Sequence, residues 1–300
     1  NIQMKRNTSF LFFALIGMVV FFACTSARTA TNAQPVKKNI YLQLYSLRSD
    51  IAKDFGNTIK QVGEMGFKGI EAASYNKGTF YNMSPEDFRA SLQAHGLEPL
   101  SSHTGKALAD NPSATNWNEV WQWWDQAIAA HKAAGMKYIV TPSMPTPKTL
   151  ADLKIYCDYY NQVGEKCKQA GLRFGYHNHD FEFKEIEGKT MYDYMLENTD
   201  PSKVFFEMDV YWVMRGNKSA VDYFNKYPGR FEILHIKDDK ELGASGQVDF
   251  DAIFSNTDKA GTKYLMVEVE KYNHAPVESV RMSLEYLLNH KLVKADYTKK

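Results

Sequence analysis

The chain has 300 residues, 24% of them charged, and a formal net charge of +1. That length allows one large domain or two ordinary ones. Near-neutral charge, with no basic run, no zinc-finger spacing and no arginine-rich arm, argues against nucleic acid as a partner.

The first element is an export signal. Lys5 and Arg6 precede the apolar run FLFFALIGMVVFFAC, which ends at Cys24. A basic start followed by an apolar run too short for a comfortable membrane span has the layout of a secretory signal. The stretch FFAC resembles the lipobox of bacterial lipoproteins, with Phe21 where that motif usually carries Leu. The expected organisation is therefore a signal peptide over 1–23 and a lipidated Cys24 that opens a small, polar tether over 24–38. One folded domain would follow over 39–300. Cleavage after Ala27, with release of the chain, is the alternative. In either case the folded part is exported. Membrane contact is expected only through the lipid anchor, with the domain facing the periplasm.

From Asn39 onward, short β-rich runs alternate with helical ones. Strands are expected at 40–46, 69–74, 97–103, 138–143, 172–178, 204–210, 231–237 and 264–270. Helices are expected at 53–66, 84–95, 117–135, 148–170, 190–198, 217–227, 249–260 and 275–290. End signals support them. Ser84-Pro85-Glu86-Asp87 reads as an N-cap, a proline at the first helical position and acids in the first turn. Gly66, Gly96, Gly135, Gly171 and Gly261 follow periodic stretches, as C-terminal caps do. This alternation, eight times over about 250 residues, predicts an α/β fold, the (β/α)8 TIM barrel. A doubly wound sheet would want a glycine-rich turn after its first strand, and LRSDIAKDFGN supplies none. Cys157 and Cys167 lie ten apart in one expected helix, on different faces, so a disulfide between them is not expected.

Reacting groups of such barrels lie at the C-terminal ends of the strands. Polar residues gather there: Gln43, Glu71, His103, His177 and His179, Glu207 and Asp209, His235 and Lys237, Glu268 and Glu270. In a strand, residues two apart share a face. The last four strands therefore each aim a same-face pair at the barrel mouth. Imidazole nitrogen with carboxylate oxygen, and no thiolate, suits one divalent ion such as Mn2+, Zn2+ or Co2+ better than Ca2+. One donor per strand gives His177, Asp209, His235 and Glu268 as metal ligands. Their neighbours His179, Glu207, Lys237 and Glu270 become orienting or proton-transfer groups.

The motifs GYHNHDFEF, FEMDVYWVMRGN, LHIKD and YLMVEVE, in this order and spacing, resemble the xylose isomerase-like TIM barrels, the sugar phosphate isomerase/epimerase family. The resemblance covers roughly residues 39 to 290. It implies one divalent metal held by Glu, Asp, His and Glu on strands five to eight. Asp209, His235 and Glu268 match the last three positions. At the first, His177 stands where many members carry Glu. That departure removes one of the two carboxylate bases used by the family's epimerases.

What the resemblance implies is a sugar isomerase or epimerase that abstracts a proton next to a carbonyl by way of an enediolate. Glu268, Glu270, His179 and Lys237 are the catalytic candidates, and Gln43, Glu71 and His103 are expected to bind substrate. An exported chain without a glycine-rich phosphate cradle points to an unphosphorylated small-molecule carbohydrate. A lyase or hydratase of 3-keto sugars or 3-keto-glycosides, using the same metal site, is the alternative. A carbohydrate-binding lipoprotein without catalysis would be expected to lack metal ligands, and the set of four is intact. An endonuclease with a three-zinc cluster would need more histidines than eight and a basic face. The sequence sets no oligomeric state.

Overall fold

The computed structural model describes residues 37–299. The expected signal segment, Cys24 and most of the tether lie outside the described residues.

Eight parallel strands carry the fold: β1 Ile40–Gln43, β2 Gly69–Ala72, β3 Glu98–Ser102, β4 Tyr138–Thr141, β5 Arg173–His177, β6 Val204–Asp209, β7 Ile233–Lys237 and β8 Tyr264–Glu268. They pair in the order β3-β2-β1-β8-β7-β6-β5-β4. A parallel bridge between His103 and Val140 joins the two ends of that sheet, helped by Thr104 N–H donating to Val140 O at 2.8 Å. The expected (β/α)8 barrel is therefore present.

Alternation decides what fills it. On β8, Tyr264, Met266 and Glu268 take one face; on β7, Ile233, His235 and Lys237; on β6, Phe205, Glu207 and Asp209. Tyr41, Leu100, Tyr138, Val140, Phe205, Ile233, Tyr264 and Met266 pack together as an apolar plug. The plug leaves no room for another side chain: a Cβ on Gly175 would meet the Phe205 ring at 2.5 Å. Above the plug, the same columns turn polar. Burial of the apolar layer fixes the register, and a one-residue slip would turn the polar column outward.

Helices cover the outside at Phe55–Met65, Pro85–Gln93, Trp117–Ala133, Leu150–Gln169, Met191–Asn198, Ala220–Lys226, Phe250–Ser255 and Pro276–Asn289. Several strands stop earlier than their β-rich runs, because pairing with the neighbour ends first. The run from Leu44 to Leu47 turns into a 3-10 helix instead of continuing β1. Asp54 interrupts the helix expected from 53, ending Arg48–Lys53 and capping Asn57 N–H of the next helix at 2.9 Å. Asn256 likewise splits the expected 249–260 helix. A short helix, Val210–Arg215, follows β6 directly where a loop was expected. Cys157 and Cys167 are buried free thiols.

Candidate metal centre and active-site cavity

The polar column converges at the C-terminal mouth. His177 Nε2 lies 3.5 Å from Asp209 Oδ2. His235 Nδ1 lies 3.6 Å from the same Asp209 Oδ2 and 3.7 Å from Glu268 Oε2. These separations are too long for good hydrogen bonds. They match the roughly 3.4 Å edge expected when donors surround one ion about 2.1 Å away in a tetrahedron. His177 Nε2, Asp209 Oδ2 and His235 Nδ1 are buried and have no hydrogen-bond partner. Such groups are strongly disfavoured in a folded interior, and a bound cation would satisfy them. Asp209, His235 and Glu268 bring one donor atom each within 4.8 Å of one another, and His103, His177, Glu207 and His235 do so as a second set. The donor set fits a borderline transition metal.

Each donor is aimed by a second contact. Asp209 Oδ1 accepts from Trp212 N–H at 3.0 Å as the N-cap of Val210–Arg215, which leaves Oδ2 facing the mouth. His177 Nδ1 faces Pro142 O at 3.2 Å. His235 Nε2 lies 3.1 Å from Glu71 Oε1. Asn178, between the two histidines, points the other way: its Oδ1 accepts from Asp209 N–H at 3.1 Å and ties β5 to β6.

Electrostatics divide the histidines. Burial holds His177 down to about 4, against the pull of Asp209, so its lone pair is free. Burial also disfavours charge on His103, but Glu71 and Glu207 outweigh it and raise that imidazole to about 10. His235 behaves like His103: burial opposes its charge, yet Glu207, Asp209, Glu71 and Glu268 raise it well above the ordinary range. Burial works against ionisation of Asp209, but His177 and His235 hold it well below the usual carboxylate range. Burial, then the charge of Glu71, raises Glu207 to about 7. Carboxylates that recruit protons in this way lack positive charge.

Gln43 and Glu71 are fully buried beneath the mouth. Gln43 Nε2 donates to Glu71 Oε1 at 2.8 Å, and Ser101 Oγ donates to Glu71 Oε2 at 2.7 Å. Glu71 also meets His103 Nε2 at 3.0 Å. It is the keel under His103 and His235. Only His103 of the three expected sugar-binding residues lines the cavity.

That cavity, about 310 Å3, is walled by Tyr45, Ala73, His103, Pro142, His177, His179, Glu268 and Glu270. His179 Nδ1 has no partner, and its ring is nearly parallel to Phe181, centroids 6.2 Å apart. Glu182 accepts from His179 N–H at 2.9 Å and from Tyr176 Oη at 2.7 Å, fixing the turn that carries the imidazole. Lys237 sits beneath the cavity, its Nζ 2.7 Å from Glu270 and 3.4 Å from Glu268. Burial disfavours the ammonium, but Glu268, Asp209 and Glu270 raise it above its ordinary value. It is thus a fixed cation. Sequence reasoning missed Tyr45, Glu182 and the capping role of Asp209. The pattern Asp-Val-Tyr-Trp was a legible cap signal; nothing local marks Glu182 as buried.

Residues 59–290 match the family model described as xylose isomerase-like TIM barrel, and the chain belongs to that family. Two solved structures of sugar phosphate isomerase/epimerases from Parabacteroides distasonis ATCC 8503 superpose with TM-scores of 0.81 and 0.79. They are 31% and 34% identical, over 89% and 86% of this chain and 99% and 100% of theirs. An inosose dehydratase of Geobacillus kaustophilus is 23% identical over a match that covers 64% of this chain and 66% of that enzyme. These relatives carry enzyme names.

Proposed function

We propose that this chain is a divalent-metal-dependent enzyme that moves a proton on carbon next to a carbonyl of an unphosphorylated sugar. The observation that carries the reading is the trio of orphaned donors on His177, Asp209 and His235 beside Glu268, of which His177 and Glu268 reach the wall of the cavity that also holds His179 and Glu270. Those four residues would hold one ion, Mn2+, Zn2+ or Co2+. When bound, it supplies Lewis-acid stabilisation of negative charge on substrate oxygens.

The chain's own groups do the rest. His179 has a free ring nitrogen facing no protein partner and acts as the base. Lys237 stays charged, favours the ionised form of Glu268 and holds Glu270 in place, so it is not a base. Glu270, at the cavity rim, relays or returns the proton. Gln43 and Glu71 position His103 and His235 instead of touching the sugar. Carboxylates and imidazoles line the cavity, with no lysine or arginine among its wall residues. Such a lining repels a phosphate and favours neutral hydroxyls. Return of the proton to a neighbouring carbon gives an isomer, and return to the opposite face gives an epimer.

Dehydration is the second reading. The named sequence relative is an inosose dehydratase, and His103 provides a second imidazole across the cavity from His179. After proton abstraction, a proton from His103 would go to the departing β-hydroxyl, which leaves as water. Export as a lipoprotein anchored at Cys24 remains part of the proposal. The deciding experiment loads the protein with Mn2+, Co2+ or Zn2+ and incubates keto sugars in deuterated water. Deuterium gain without mass loss supports isomerisation, and loss of water supports dehydration. Neither change in any keto sugar, with one ion bound, sinks both.

A further inference from the structure

A second cavity, about 390 Å3, adjoins the first and shares Tyr45 and Ala73 with it. Their linings differ. The first is lined by titratable groups, the second by Leu44, Ile51, Phe55 and Tyr81, with Ser74 and Asn82 as polar points. Tyr45 stands at the junction with 44% of its surface exposed, whereas the other large aromatics of the barrel are mostly buried. Its ring is braced. The Arg48 guanidinium lies 4.5 Å from the ring centroid. Arg48 is itself fixed by donating to Tyr45 O at 3.0 Å, Tyr272 Oη at 3.0 Å and Glu270 O at 3.1 Å. Tyr45 N–H donates to Gln43 Oε1 at 2.9 Å, which connects the platform to the keel of the first cavity.

The opposite wall is held at a conformational expense. Phe80 and Met83 pair around a two-residue turn in which Tyr81 and Asn82 both have positive φ, +50° and +62°. Asn-Gly is the usual occupant of such a turn, and a bulky aromatic there is an outlier. Strain of this kind persists where surroundings impose it, and it clusters at binding sites. Here Tyr81 Oη accepts from Ala73 N–H at 2.9 Å, and its ring packs 5.2 Å from Phe55. The strained turn thus fixes the wall next to the shared residue.

We infer that the second cavity is a subsite for a second sugar ring, so that the substrate is a glycoside whose keto ring sits over the metal centre and whose other ring lies on Tyr45. This rests on the proposed function above and names its substrate class. A braced aromatic face beside hydroxyl-binding polar groups suits the C–H face of a pyranose. Arg48 does not convert the subsite into a phosphate site, because three of its donor contacts are already made within the protein. No other arginine and no lysine lines either cavity. Continuity through Tyr45 and Ala73 makes the occupant part of the reacting molecule.

Saturation-transfer NMR and titration on the Zn2+-loaded protein, with glucose against cellobiose, maltose and sucrose, test it. At least one disaccharide should bind about tenfold more tightly than glucose, with both rings saturated. Tyr45→Ala and Ala52→Trp, the latter an exposed position whose new ring fills the second cavity, should each reduce that ratio toward one. Equal binding of glucose and all three disaccharides, binding of none, or a preference unmoved by both variants overturns the inference. A two-ring preference with no deuterium incorporation into any keto sugar would leave the subsite standing and overturn the proposed reaction instead.

Discussion

At the N-terminal end of the barrel, Glu232 accepts from Arg173 at 2.6 Å, from Lys263 at 3.0 Å and from Tyr138 at 3.1 Å, and Glu98 meets Lys68 at 2.6 Å. At the C-terminal end, a similar stock of carboxylates and cationic or imidazole groups leaves His177 Nε2, His179 Nδ1, Glu207 Oε1, Asp209 Oδ2 and His235 Nδ1 without partners. Both ends belong to the same strands, and Glu232 at the lower end is buried like the groups at the upper end, although its cationic partners reach solvent. What separates them is satisfaction. The lower end has closed its charges into pairs, which is the economical state of a buried ion. The upper end holds its donors 3.5 to 3.7 Å apart, aimed and uncompensated. In this protein the function is read from where polar groups are left waiting.

The strongest way to break that contrast is Asp209→Asn. Elemental analysis should show loss of the bound ion, and turnover should fall by more than about 10,000-fold, beyond the upper range for losing one general base. Retention of a full equivalent of metal would remove Asp209 from the ligand set. His179→Gln should keep the metal and lower kcat by about 100- to 10,000-fold. An unchanged rate of deuterium exchange would pass the base role to Glu270.

His131 sharpens the contrast from outside both ends. Its Nε2 is also unpartnered, but it is packed near the rings of Tyr75 and Phe80, with no carboxylate to share. Burial lowers it to about 4, against the hydrogen bond with Ala127 O. The unfolded chain therefore binds more protons than the folded one between about pH 6.5 and 4, and stability falls as pH drops through that window. The loss amounts to about 3 kcal/mol. Denaturant midpoints from pH 7 to 4 should show it, and His131→Gln should flatten the slope. A slope untouched by the substitution assigns the acid limb to other groups.

Glu71→Gln tests the keel. Metal affinity should weaken by about 10- to 100-fold, through misaimed His235 rather than a lost ligand; a calorimetric titration identical to the parent would make Glu71 a bystander. Smallest is Glu232→Gln at the lower end. It should lower stability by about 1–3 kcal/mol in a melt, with metal content and turnover unmoved. Any loss of activity there would show that the two ends are coupled.

Much of this was legible in the sequence. Eight β-rich runs with period-two polar ends predicted the barrel and brought His177, Asp209, His235 and Glu268 to one mouth, because alternation and strand order leave no other place for them. The motifs also named the family. Less legible was the role of Gln43 and Glu71. Both are polar residues at strand ends, yet neither is among the residues that wall the cavity, and they hydrogen-bond each other beneath the mouth. Depth depends on the stagger of neighbouring strands, which no single segment encodes.

The sequence by itself determined the fold class, the face on which each polar pair lies and the chemistry of the donors, since these follow from periodicity and side-chain type. Only the tertiary structure decided which nitrogen and which oxygen remain unpaired, which imidazoles keep a proton, and that Tyr45 joins two cavities. Those outcomes depend on distances between atoms from strands far apart in the chain, and on burial that raises the strength of every charge–charge contact made there.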